Sequence, residues 1–166
     1  MPPDPEIFAL AKLVGERLVK RRKSIAVAES CTGGMLGAAF TDVPGSSAYF
    51  LGGIIAYSNA SKLEMLGVSE AMLTTEGAVS AMTAAAMAEG VKRIFRADIG
   101  ISITGVAGPS AEEQKPAGLT FIGLANPIPR SARYQWTGDR WANRRQSVLA
   151  ALQLLAPELE EPVEVH

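Results

Sequence analysis

The residues of this chain best suited to chemistry are Glu29-Ser30-Cys31-Thr32-Gly33-Gly34, directly after the short apolar run 24–28. Such a run reads as a buried strand, and in open α/β sheets ligands gather beyond the carboxyl ends of strands, where helix N-termini also point. Ser30 falls at such an edge. The N–H groups around Thr32, Gly33 and Gly34 would open the following helix with little side chain in the way, a setting that suits an oxyanion or a phosphate. Ser30 and Thr32 also fit a plain helix cap, and the glycines fit close packing.

A serine needs a base to attack an amide. The chain has one histidine, the final residue His166, and one cysteine, Cys31. A Ser-His-Asp or Cys-His arrangement inside the fold is therefore not expected, nor is a zinc site. Lysine is the remaining base, provided a dry or cationic setting lowers its pKa. Lys62 is the candidate, because it follows Tyr57-Ser58-Asn59 where an apolar run ends and a short helix begins. A solvated surface lysine is the plainer alternative. Cys31 is the rival nucleophile, since a helix N-terminus lowers a thiol pKa; the plainer reading is a small buried hydrophobe.

Two further edges carry polar groups. Thr104-Gly105-Val106-Ala107-Gly108-Pro109 ends another buried run, and Thr104 can offer its hydroxyl to a ligand. Arg140 and Arg144 share a helix face at i, i+4 after Gly138-Asp139 and suit phosphate recognition, although spacing alone also fits surface charge. The basic run Lys20-Arg21-Arg22-Lys23 reads as cations complementing a helix C-terminus.

The elements that must hold these residues follow from periodicity. Asp4-Pro5 caps a first helix with Ile7, Leu10, Ala11, Val14 and Leu18 at helical spacing. Strands are expected at 24–28, 48–58 (with Gly52-Gly53 as a bulge or close contact), 98–104 and 118–125, the last paired with 130–136 as a hairpin. Helices are expected at about 32–39, 60–66, from Ser80 along Ala84, Met87, Val91, Ile94 and Phe95, and from the Asp139 cap to Pro157. Strands alternate with helices, so the fold class is α/β: a three-layer α/β/α sandwich around a mixed, largely parallel sheet. One domain is expected over 1–157, with 158–166 as a mobile acidic tail.

Composition narrows the function. Sixteen basic residues against 17 acidic ones leave a net charge of −1, so no broad nucleic-acid surface is indicated. No apolar run approaches the roughly 20 residues of a membrane helix, and Met1-Pro2-Pro3-Asp4-Pro5 does not open a secretion signal. With a single cysteine, a cytoplasmic protein is expected.

Several ordered blocks together resemble the CinA C-terminal domain family: 28–34, 41–50, 53–62, Gly77-Ala78-Val79-Ser80, 104–109, Lys115-Pro116 and Gly138-Asp139-Arg140. The resemblance runs from about Ile7 to Leu155. It implies a nicotinamide-nucleotide amidase of pyridine nucleotide salvage, converting nicotinamide mononucleotide and water to nicotinate mononucleotide and ammonia, in a stand-alone module that needs no cofactor or metal and self-associates as a homo-oligomer. It puts the nucleophile on Ser30, the base on Lys62 and a supporting group on Tyr57. Substrate contacts are expected from Glu29, Thr32, Gly33, Gly34, Ser47, Thr104, Gly105, Arg140 and Arg144. Two positions depart from the pattern. Ser110-Ala111-Glu112-Glu113-Gln114 replaces a glycine-rich stretch and brings two acids that would repel a substrate phosphate. Glu76 stands where a histidine is common. The competing expectations are a nucleotide-binding module of the same fold without catalysis, and a cysteine hydrolase using Cys31.

Overall fold

The computed structural model describes residues 2–161. Asp4 caps α1 (Pro5–Arg21), its carboxylate accepting from the Glu6 and Ile7 N–H groups, and Arg22 ends the helix in the left-handed conformation. The first strand, β1 (Ile25–Glu29), leads through a turn into α2 (Met35–Thr41); a 3-10 turn, Ser46–Ala48, then precedes β2 (Phe50–Ile55). Three helices follow, α3 (Asn59–Leu66), α4 (Glu70–Thr75) and α5 (Ala81–Phe95). The chain continues through β3 (Ile99–Gly105), β4 (Leu119–Ala125) and β5 (Pro129–Gln135) to α6 (Arg140–Glu158). Among the described residues no helix is long and apolar enough to cross a membrane.

The sheet order is β2-β1-β3-β4-β5. Strands β1, β2 and β3 are parallel, β4 is antiparallel to β3, and β5 is antiparallel to β4. Four strands thus point one way and one points back. Helices α1, α2 and α6 cover one face, while α5, with α3 and α4 against it, covers the other. This is the expected three-layer α/β/α arrangement.

Alternation along the strands gives the two faces different characters. Ile25, Val27, Ile99, Ile101, Ile103, Ile122 and Leu124 pack with the α1/α2/α6 layer in the larger core. The opposite face is built from small residues. Ala26 and Ala28 pack with Met87 and Val91 of α5. A Cβ at Gly100 would collide with the Ala88 carbonyl, and one at Gly123 with the Ala84 carbonyl, so α5 lies directly on the sheet. The Ser102 hydroxyl donates to the same Ala84 carbonyl at 2.6 Å.

Three expectations are corrected. Helix α2 starts at Met35 rather than near 32, because a turn stabilised by Gly33 N–H to Ser30 O and Met35 N–H to Thr32 O intervenes. Ile94 is exposed rather than on the packed side of α5, whereas Phe95 tucks beneath Gly52. Helix α6 runs through Pro157 to Glu158 rather than ending at the proline. Leu159 joins the core, the Ala156 carbonyl accepts from Arg17, and Glu160 and Glu161 pair with Arg17 and Lys20. The rest of the expected mobile tail, 162–166, lies outside the described residues. Helix α4 had no counterpart in the sequence reading.

Candidate active site

The parity that sorts the core also sorts the residues at the end of β1. Glu29 continues the Ile25-Val27 row and faces α2; Ser30 continues the Ala26-Ala28 row and faces α3. The Ser30 N–H donates to the Ile103 carbonyl at 2.9 Å, fixing the tip of β1 to β3. From the neighbouring strand, the Ala56 N–H donates to the Glu29 carbonyl at 2.8 Å, so the chain leaving β2 starts α3 beside the same tip. Ser58 caps α3, and Lys62, one turn in, points back over the sheet edge.

Lys62 is only 1% exposed. Its Nζ lies 3.0 Å from Ser30 Oγ, 2.9 Å from the Ala56 carbonyl and 3.2 Å from the Tyr57 carbonyl. Burial pushes the amine below its ordinary pKa of 10.5; the negative forms of Cys31, Glu113 and Glu112 pull the other way. A neutral amine has two N–H donors and one lone pair. Two carbonyls take the donors, which leaves the lone pair for the Ser30 hydroxyl proton. The geometry fits a serine paired with an amine base.

A cavity of about 150 Å³ opens over this pair, lined by Ser30, Cys31, Tyr57, Asn59, Lys62, Ala78, Val79, Thr104, Gly105, Ala107, Glu112, Glu113 and Arg140. Six of the twelve residues expected in the site are therefore brought together: Ser30, Lys62, Tyr57, Thr104, Gly105 and Arg140. Tyr57 is 61% exposed at the mouth, and its hydroxyl accepts from Arg140 Nη2 at 3.2 Å. Arg140 Nη1 also donates to the Gly108 carbonyl at 2.7 Å. The Thr104 hydroxyl is already engaged, donating to the Ala78 carbonyl at 2.7 Å.

The other six do not line the cavity. Glu29 is buried with its carboxylate accepting from the Thr32 hydroxyl (2.7 Å) and the Leu36 and Gly37 N–H groups (2.9 and 3.0 Å), a cap on the start of α2. Thr32 is thereby turned away from the cavity. Gly33 spends its N–H on the Ser30 carbonyl at 3.1 Å, and Gly34 lies against Ile55 in a left-handed conformation. Arg144 donates from Nε and Nη2 to the Cys31 and Thr32 carbonyls, both at 3.0 Å, and so clamps the turn from behind. Ser47 is exposed and precedes β2, at the opposite end of the parallel strands from Ser30. Of the N–H groups of 32–34, that of Gly33 alone has a backbone acceptor among the described residues, and none of the three residues lines the cavity. The N–H groups of Cys31 and Ala107, both from cavity residues, have no backbone carbonyl acceptor among the described residues.

Cys31 is 7% exposed, and burial pushes its thiol up to about 11. That favours its reading as a small hydrophobe over a nucleophile. Asn143 went unnoticed in the sequence. It is buried in α6, donates from Nδ2 to the Ala107 carbonyl at 3.0 Å and accepts from the Gly138 N–H at 3.0 Å, holding the loop after β3. Its only signal was an uncharged polar side chain one turn after the Asp139 cap.

The comparisons agree with this architecture. Residues 7–159 match the family model described as the CinA C-terminal domain. A putative competence-damage inducible protein of Halothermothrix orenii is 52% identical over 134 residues, 79% of this chain and 32% of that protein. A CinA-like protein of Thermosynechococcus vestitus is 49% identical over 155 residues, 90% of this chain and 37% of that protein. The chain thus spans about a third of the length of these curated relatives. Among solved structures, a CinA superfamily protein from Klebsiella pneumoniae superposes with TM-score 0.90 at 32% identity, covering 92% of this chain and 97% of its own. A competence/damage inducible protein from Agrobacterium tumefaciens gives 0.89 at 34% identity, covering 97% and 99%. The chain belongs to the CinA C-terminal domain family.

Proposed function

We propose that the chain is an amidohydrolase that converts nicotinamide mononucleotide and water to nicotinate mononucleotide and ammonia, with Ser30 as nucleophile and Lys62 as base. The observation that carries this reading is the buried Lys62 amine, held by two carbonyls 3.0 Å from the Ser30 hydroxyl. Neutral Lys62 takes the Ser30 proton as Oγ attacks the carboxamide carbon. The N–H groups of Cys31 and Ala107 receive the negative charge on the carboxamide oxygen. Protonated Lys62 then gives its proton to the departing nitrogen, the C–N bond breaks, and ammonia leaves an ester on Ser30. Water, deprotonated by the same amine, adds to the ester carbon; the proton returns to Oγ and the acid is released.

A cavity of about 150 Å³ is smaller than the roughly 300–1,000 Å³ typical of pockets that enclose a whole drug-sized ligand. It suits the carboxamide-bearing ring, with ribose and phosphate towards the mouth. The test is ammonia release from nicotinamide mononucleotide by the purified protein and by Ser30→Ala. The wild type is expected to turn over and the variant to lose activity while keeping its circular dichroism spectrum. Full activity in Ser30→Ala would exclude the serine mechanism, and calorimetric binding without turnover by the wild type would mark a nucleotide-binding module.

A further inference from the structure

The segment before α5 is arranged as an anion receptor, and the protein fills it with its own carboxylate. Every carbonyl of Gly77-Ala78-Val79 is tied back. The Gly77 carbonyl accepts from the Ser80 and Thr83 hydroxyls at 3.1 and 2.7 Å, the Ala78 carbonyl from Thr104, and the Val79 carbonyl from Lys115. The Ala78 and Val79 N–H groups are left facing outward, and they donate to Glu113 Oε1 and Oε2 at 3.2 and 3.4 Å. The Lys115 ammonium stands 3.7 Å from the same carboxylate and is itself anchored on the Glu76 carbonyl at 2.8 Å. Gly77 makes room for both, since a Cβ there would lie 2.6 Å from Glu113 Oε2 and 2.8 Å from Lys115 Nζ. Two adjacent N–H donors and a cation around one anion are the elements of a phosphate nest.

The occupant is held on an unfavourable support. Glu112 and Lys115 close a two-residue turn by reciprocal backbone hydrogen bonds of 3.1 and 2.8 Å. Its central residues, Glu113 and Gln114, both adopt positive φ (50° and 61°), where asparagine and glycine are the usual choices. Ala78, Val79, Glu112 and Glu113 also line the cavity above Ser30 and Lys62. An anionic group on a substrate bound there meets this carboxylate.

We propose that Glu113 is a specificity-determining residue: an internal anion that occupies a phosphate-type subsite and competes with the anionic group of the substrate for the Ala78 and Val79 N–H groups and Lys115. The substrate side of this proposal rests on the amidase reading; the anion subsite does not. Replacing Glu113 with Gly removes the carboxylate and suits the positive φ. Glu113→Gln keeps the shape and removes the charge.

Titration calorimetry with orthophosphate reads the subsite without any turnover. Glu113→Gly is expected to bind orthophosphate about tenfold tighter than wild type, and Glu113→Gln to gain in the same direction, as suits release of a charge-assisted contact. Adding Lys115→Ala to Glu113→Gly should erase the gain. In ammonia release, the ratio of kcat/KM for nicotinamide mononucleotide to that for nicotinamide riboside, which lacks the phosphate, should rise about tenfold in Glu113→Gly. Orthophosphate affinity unchanged in both single variants overturns the proposal, as does an unchanged substrate ratio. A protein that turns over neither amide overturns the amidase reading and leaves the phosphate titration to decide on Glu113.

Discussion

Replacing Lys62 with Met deletes the amine while keeping an unbranched chain in a site that is 1% exposed. In the native protein burial holds the amine below 10.5; in the unfolded chain it titrates near its ordinary value. Between those two pH values the unfolded chain carries the extra proton, so native stability rises with pH. Below the folded value both states are protonated and the contribution is level; above about 10.5 both are neutral and it is level again. Subtracting the unfolding free energy of Lys62→Met from that of wild type cancels the titrations the two proteins share. The difference should therefore climb with pH at up to about 1.36 kcal/mol per unit across the window. The negative charges of Glu113 and Glu112 raise the amine's pKa and so narrow the window from below, whereas Cys31, with its thiol pushed up to about 11, stays neutral across it. Denaturant melts of both proteins from about pH 6 to 10.5 measure the climb. The acid limb of kcat/KM for ammonia release by wild type reports the same group in the free enzyme. The foot of the stability climb and the midpoint of the acid limb should coincide. A difference curve that stays level up to pH 10 would mean that the amine keeps its ordinary pKa, and the general-base role would fall with it.

Two further perturbations test the neighbouring parts of the site. Cys31→Ala should keep turnover within about threefold of wild type and lose only about 1 kcal/mol of stability, as for a small buried hydrophobe; loss of activity beyond about a hundredfold would restore the thiol as nucleophile. Arg144→Ala removes two guanidinium hydrogen bonds from the carbonyls of the nucleophile turn and should lower kcat/KM by about 10–100-fold, the range of 1.5–3 kcal/mol for such bonds. Its KM for nicotinamide mononucleotide should move less than its kcat, because the side chain grips the turn rather than lining the cavity; a change confined to KM would make Arg144 a substrate ligand instead.

The parts of the site carried by strand ends were readable from the sequence, since periodicity locates those ends. Ser30 follows the all-buried run of β1, and Thr104 is the next-to-last residue of the equally buried β3. Lys62 stood out as the lysine following Tyr57-Ser58-Asn59, where an apolar run ends and a short helix begins, although spacing alone also fitted a solvated surface lysine. Side-chain direction was less accessible. Glu29 and Ser30 are adjacent, and one step of strand parity sends them to opposite layers. Arg140 and Arg144 share a helix face, yet one reaches the cavity mouth and the other the back of the turn. Ser47 shows the limit of motif proximity: it lies close in sequence to β2 but at the wrong end of it. Helix α4 was missed because its six residues, Glu70–Thr75, include no buried position and so leave no apolar period. Gly52-Gly53 was expected as a bulge or a close contact; the β1–β2 register shifts just before Gly52, and Gly52 also lies against Phe95, from a helix more than 40 residues away.

The seating of α5 directly on the small-residue face of the sheet has an evolutionary corollary. The reacting pair is supplied by one layer and the strand it rests on, whereas Arg140 enters from the layer across the sheet and Glu113 from a surface turn. Sequence drift in those outlying contributors can change which molecule is admitted without disturbing the distance between amine and hydroxyl. A scaffold partitioned in this way can acquire new substrates at its rim while the proton-transfer step stays as it was.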